Sequence, residues 1–141
     1  MKTLERFLLA QEGTYDNILS NIKNGNNKNH CMWYIFPQLE GLGFSPAAKH
    51  YGIQGLSEAR EYLQHEVLGA RLIECSQALL SLDTTNVADI FSFPDSDKLK
   101  ACMTLFSIAD ESNLIFQAVL SKFFDSIIDK NTMQLLNTES V

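Results

Sequence analysis

The chain has 141 residues, 45% of them apolar and 20% charged, with a formal net charge of −6 and a pI near 4.9. That length buries roughly two thirds of the unfolded chain's surface in one domain, and the composition is that of a folded protein rather than a disordered one. The acidic balance, with Lys and Arg scattered and not clustered, argues against nucleic acid and against a membrane as the partner.

The first ten residues carry charges at Lys2, Glu5 and Arg6 and only four consecutive apolar side chains, so they form neither a signal peptide nor a membrane span. Leu4, Phe7, Leu8 and Gln11 share a helical face that Gly13 closes. Thr14 is placed to cap a second helix with Tyr15, Ile18, Leu19 and Ile22 as its buried stripe. Gly25 follows where a left-handed residue ends a helix. Asn24 to Asn29 reads as a polar loop.

The stretch from His30 to Pro46 organises the chain. It holds the single Trp, three other aromatic residues and two of the three prolines. An apolar run this short, closed by Pro37, predicts a buried central helix near residues 30–36 of at most about two turns. Gln38 to Phe44 is then an irregular loop. Ser45-Pro46 is an N-cap followed by Pro in the first helical position, opening a short helix that ends near Gly52.

Ser57 is expected to cap the next helix, with Glu58 in its first turn and Ala59, Tyr62 and Leu63 facing inward. His65 to Gly69 is a junction. Leu68, Leu72, Cys75 and Leu79 mark a longer amphipathic helix that stops before Asp83. Asn86 caps a single turn through Phe91. Asp95-Ser96-Asp97 opens a helix with Leu99, Cys102, Met103 and Phe106 at three- and four-residue spacing. Asn113 caps another, carrying Phe116, Val119, Leu120 and Phe123, and Leu135 and Leu136 belong to a final short helix that frays after Asn137.

Every apolar stretch fits a period of 3.6 and none alternates at period two. The expected fold is therefore all-α, a single multihelical domain over residues 1–141 with roughly seven to nine helices, several of them short.

Few residue patterns carry chemistry. Cys31, Cys75 and Cys102 form no C-x-x-C pair, and three cysteines without a leader point to reduced thiols in the cytoplasm. Cys31 beside His30 is no catalytic pair, because adjacent helical positions point about 100° apart. His30, His50 and His65 have no metal-ligand spacing, and Asp95-Ser96-Asp97 lacks the rest of a calcium loop. No metal and no cofactor is expected. There is no phosphate loop, dinucleotide fingerprint or nucleophile elbow.

What remains is a set of polar groups in apolar surroundings. His30 and Glu40 are the candidates for acid–base work, and Trp33, Tyr34, Gln38, Lys98, Thr104, Asp129 and Thr132 for ligand binding. Buried polar groups cost about 1–3 kcal/mol each when unsatisfied, so one reading is that they bond one another and stitch loops to the core. The other is that they line a pocket beside Trp33 and Tyr34, whose rings suit a planar or sugar ligand.

Several segments carry a resemblance. The run Met32-Trp33-Tyr34-Ile35-Phe36-Pro37-Gln38, with Gly41-Leu42-Gly43, comes first. Tyr51-Gly52-Ile53, Leu68-Gly69-x-Arg71-Leu72, Asp97-Lys98-Leu99, Met103-Thr104-Leu105-Phe106 and Asp129-x-x-Thr132 follow. Together they resemble the bacterial domain-of-unknown-function 1810 family, from Phe7-x-x-Ala10-Gln11 to Leu136. The resemblance implies a single all-α domain around a short buried central helix, and it brings no established activity. The calpastatin label that some members carry does not fit, since that inhibitor is a long disordered polar chain. Two positions depart from the pattern. Cys31 stands where the family commonly has Trp, and Phe91-Ser92-Phe93-Pro94 replaces a stretch that usually contains Gly.

Two functions follow as expectations. The first is a binding or structural role, with a small-molecule ligand as the partner and any protein partner unspecified. The second is a hydrolase or glycosidase acting on a nucleotide-derived or ADP-ribosyl ligand, because the layout of the second half is loosely similar to a helical family of ADP-ribose and NAD metabolism. In that case Trp33 or Tyr34 stacks the base, His30 or Glu40 moves the proton and Lys98 meets a phosphate. Convergence of His30, Glu40, Lys98 and Asp129 on one open cleft separates the two.

Overall fold

A computed structural model describes residues 3–26 and 32–139, the last two by their backbone only. The described residues form eight α-helices and one 3-10 turn. In chain order these are α1 (Glu5–Gln11), α2 (Tyr15–Lys23), α3 (Pro46–Tyr51), α4 (Leu56–Gln64), α5 (Leu68–Leu80), the 3-10 turn Val87–Asp89, α6 (Asp95–Ala109), α7 (Ile115–Phe124) and α8 (Lys130–Glu139). The all-α expectation holds.

Capping explains some of the boundaries. Ser45 Oγ accepts the Ala48 N–H at 3.1 Å with Pro46 at the helix start, and Asn86 Oδ1 accepts the Ala88 N–H at 3.1 Å. Gly25, at φ +76°, follows the last turn of α2. Other caps differ from expectation: at α7 the cap position is Leu114, although Asn113 Oδ1 accepts the Ile115 N–H at 3.2 Å. Thr14 precedes α2, yet its hydroxyl donates backwards to the carbonyls of Ala10 and Gln11. At α4 the cap position is Gly55 and Ser57 lies inside the helix. There Glu58 Oε1 accepts the Gln54 N–H at 3.0 Å, so a first-turn carboxylate satisfies a backbone donor just outside the helix.

Helix α6 is the hub. It packs on α4, α7 and α8, while α5 packs on α2, α4 and α7. From Leu99 to Ala109 nine α6 side chains are buried, on every face of the helix, and a helix apolar all round belongs in a core. An aromatic series crosses this core, from Tyr51 to Phe7, Tyr62, Phe106 and Phe116, with ring centroids 5.1–6.0 Å apart.

The segment expected to be the central helix is buried but is not helical where it is described. Met32, Ile35 and Phe36 are fully enclosed, yet residues 32–35 run as turns and Phe36 as a bend. Pro37 bars Phe36 from helical geometry, and the run is too short to propagate a helix. Its backbone is satisfied otherwise. Gln38 Nε2 donates to the carbonyls of Met32 at 2.6 Å and Phe36 at 3.3 Å. Gln38 and Glu40 then pair through their backbones with Ile53, forming a parallel bridge at Leu39. The central helix of this protein is α6.

Candidate functional site

Three segments far apart in sequence meet at one end of α6. They are the loop after the buried turns, the first turn of α6 and the first turn of α8. Trp33, Gln38, Leu42, Gly43, Pro94, Asp97, Lys98, Ala101, Asp129 and Asn131 line a cleft of about 230 Å³ between them. A second hollow, about 320 Å³, lies against Gly41, Leu42, Asn131, Gln134 and Leu135 and so shares two residues with the first.

The Lys98 ammonium lies 4.5 Å from the centre of the Trp33 ring, and its Nζ is 3.5 Å from Asp95 Oδ1, one turn back on α6. The half-buried cation is thus held by an aromatic face and a carboxylate, each worth a modest amount at this exposure. Asp129 is fixed from behind. Its N–H donates to Thr104 Oγ1 at 2.9 Å, and that hydroxyl in turn donates to the Lys100 carbonyl at 2.8 Å. Its Oδ2 accepts the N–H of Thr132 at 2.9 Å and the Thr132 hydroxyl at 2.6 Å, capping α8. Buried Thr104 on α6 therefore sets both the start of α8 and the position of Asp129 at the cleft.

Of the residues proposed from sequence, Trp33, Gln38, Lys98 and Asp129 come together here. Thr104 and Thr132 are fully buried behind the wall and bond Asp129. Tyr34 belongs to a different cluster. Its carbonyl accepts from Gln11 Nε2 at 2.7 Å and from the Tyr62 hydroxyl at 3.2 Å, and its ring packs 5.9 Å from Tyr51. Glu40 is exposed and does not line the cleft. His30, like Cys31, lies outside the described residues.

Sequence reasoning missed Asp97 and Asn131. Asp97 entered the sequence reading as part of the Asp95-Ser96-Asp97 helix start and of the family pattern, but no side chain caps α6 and the carboxylate faces solvent at the cleft. Asn131 sits between the capping residues Asp129 and Thr132, where a first-turn position turns outward. That cap spacing was the available signal. No group of three or more metal-type side chains occurs among the described residues.

The family profile described as a protein of unknown function, DUF1810, matches residues 1–136. The chain belongs to this family. The crystal structure of the conserved hypothetical protein Rv1873 from Mycobacterium tuberculosis is similar to this DUF1810 chain, at 42% identity and a TM-score of 0.93. The match covers 95% of this chain and 96% of that one. A comparison with curated proteins found no match. No helix among the described residues of this DUF1810 protein is long and apolar enough to cross a membrane.

Proposed function

We propose that this protein works by binding, with a small-molecule ligand held in the Trp33 cleft. The carrying observation is the convergence of Trp33, Gln38, Lys98 and Asp129, which come from three separate segments, on a single concave surface. Thr104 and Thr132 support this wall and do not touch the ligand. No observation favours the hydrolase reading, since Glu40, one of its two acid–base candidates, lies outside the cleft. The reading includes a cytoplasmic location, supported by the buried Cys75 and Cys102, which are not joined in a disulfide.

Trp33 is the sole tryptophan, so tryptophan emission reports on the cleft wall alone. The test is a panel of neutral sugars, nucleosides, nucleotides, amino acids and diamines at millimolar concentration, read by Trp33 fluorescence and thermal shift. A binder present at a hundred times its Kd adds about 2.7 kcal/mol to stability. We expect at least one class to change the emission and raise Tm together. If no class does either, the binding reading is wrong.

A further inference from the structure

The polar groups at the cleft differ in how far the protein already uses them. Lys98 is engaged by Asp95 and by the Trp33 ring, and Asp129 Oδ2 is taken up by Thr132. By contrast, no hydrogen bond among the described residues engages the side chains of Asp97 and Asn131, which both face solvent there. The carboxylate only accepts, whereas the amide donates and accepts. Around them the wall is apolar at Leu42, Pro94 and Ala101. Phe44 and Phe93, the chain neighbours of the lining residues Gly43 and Pro94, are 82% and 77% exposed and give this end of the molecule further apolar surface.

Charge selects among ligands. A phosphate would meet one ammonium, already shared, and two carboxylates. A diamine would meet those carboxylates but also the ammonium. A neutral ligand meets neither conflict. To satisfy an acceptor-only carboxylate and an amide together, its groups must both donate and accept, which is the property of a hydroxyl. To use the apolar wall it must also carry C–H surface.

From this, and resting on the binding reading above, we infer that the occupant is a neutral polyhydroxylated ring, a free sugar or the sugar of a nucleoside, with its hydroxyls on Asp97, Asn131 and Asp129. Lys98 stays on Trp33 when the ring binds and acts as part of the wall.

The test titrates the full chain with ribose, glucose, adenosine, 2′-deoxyadenosine, adenosine monophosphate and putrescine, following Trp33 emission and Tm. Asp97→Ala and Asn131→Ala are the variants, since both side chains are exposed and neither makes a side-chain hydrogen bond among the described residues. We expect adenosine or a free sugar to bind, and both variants to weaken that binding at unchanged Tm of the unliganded protein: Asn131→Ala by up to roughly tenfold, the worth of one neutral hydrogen bond, and Asp97→Ala by roughly tenfold to a hundredfold, the worth of one hydrogen bond to a charged group. Comparable affinity for ribose and adenosine assigns the site to the sugar alone, and tighter adenosine binding assigns the base a share. In the second case the 2′-deoxy form binds more weakly if that hydroxyl is read. Tighter binding of the monophosphate than of adenosine, or binding by putrescine, overturns the neutral-ring assignment and leaves the cleft a binding site. So does binding by amino acids alone from the wider panel, or binding of a sugar that neither variant weakens. Silence from every probe overturns both.

Discussion

Arg6 and Glu58, 52 residues apart, form a two-pronged ion pair with N–O distances of 2.7 and 3.3 Å. The side chains are only 5% and 12% exposed. The same guanidinium donates to the carbonyls of Gly52 at 2.9 Å and Thr3 at 2.5 Å, so one cation ties α1 to α4 and to the end of α3.

The pair should be costly to break from one side. Glu58→Gln leaves a buried guanidinium without its counter-charge, and we expect a loss of about 3 kcal/mol in urea denaturation. The double change Arg6→Met with Glu58→Leu removes both charges and should cost less than either single change. A double variant as unstable as the sum of the singles would mean that the two side chains act independently.

Gly69 and Gly13 separate two reasons for a glycine. A Cβ on Gly69 would stand 2.0 Å from the Leu63 carbonyl oxygen and 2.8 Å from its carbon, where α5 starts against the end of α4. Gly13 meets nothing within 4 Å but has φ +73°. Gly69→Ala should therefore cost about 3 kcal/mol or more, the upper end for forced overpacking. Gly13→Ala should cost about 1–2 kcal/mol of backbone strain alone. Equal losses in chemical denaturation would refute the steric account of Gly69.

Stability should fall at alkaline pH. Burial pushes the Cys75 thiol up from its ordinary value near 9 to about 12. Burial also raises the hydroxyls of Tyr15 and Tyr62. For each, the unfolded chain loses its proton first, so the stability is fully present below the unfolded pKa and is lost as pH rises towards the folded one. We expect a plateau to about pH 8.5 and a decline above pH 9, shallower in Cys75→Ala. In a Cys31→Ser background, Cys75 and Cys102, both fully buried, should resist a thiol reagent until denaturant is added. A flat alkaline profile, or fast labelling of the folded protein, would contradict this arrangement.

The helices were legible because their stripes and caps are local. Ser45-Pro46, Gly25 and Asn86 sit where their chemistry demands, and the structure agrees at each. The hub was not legible as one. Thr104 and Ser107 interrupt the apolar pattern of α6, yet each spends its hydroxyl on a carbonyl of the same helix, at Lys100 and Thr104, and is buried. The pairing of Arg6 with Glu58 was not legible either, because nothing local brings them together.

At the cleft, the polar residue types pointed to the right neighbourhood without telling front from back. Asp129 and Lys98 face the cleft, while Thr104 and Thr132 hold Asp129 from within. That distinction depends on how α8 lands on α6, a long-range relationship that single-sequence spacing does not carry. Tyr34 shows the same limit. It follows Trp33 directly, but its carbonyl is held by Gln11 and Tyr62 and its ring packs on Tyr51.

Because the first turn of α6 forms one wall of the cleft and continues directly into Leu99–Ala109, where the helix is buried on every face, that wall cannot swing as a unit without unpacking the core. Asp129 is pinned to the same helix through Thr104. Association at this site should therefore proceed in a single step from a receptor already in its bound shape, with one relaxation phase whose rate rises linearly with ligand concentration.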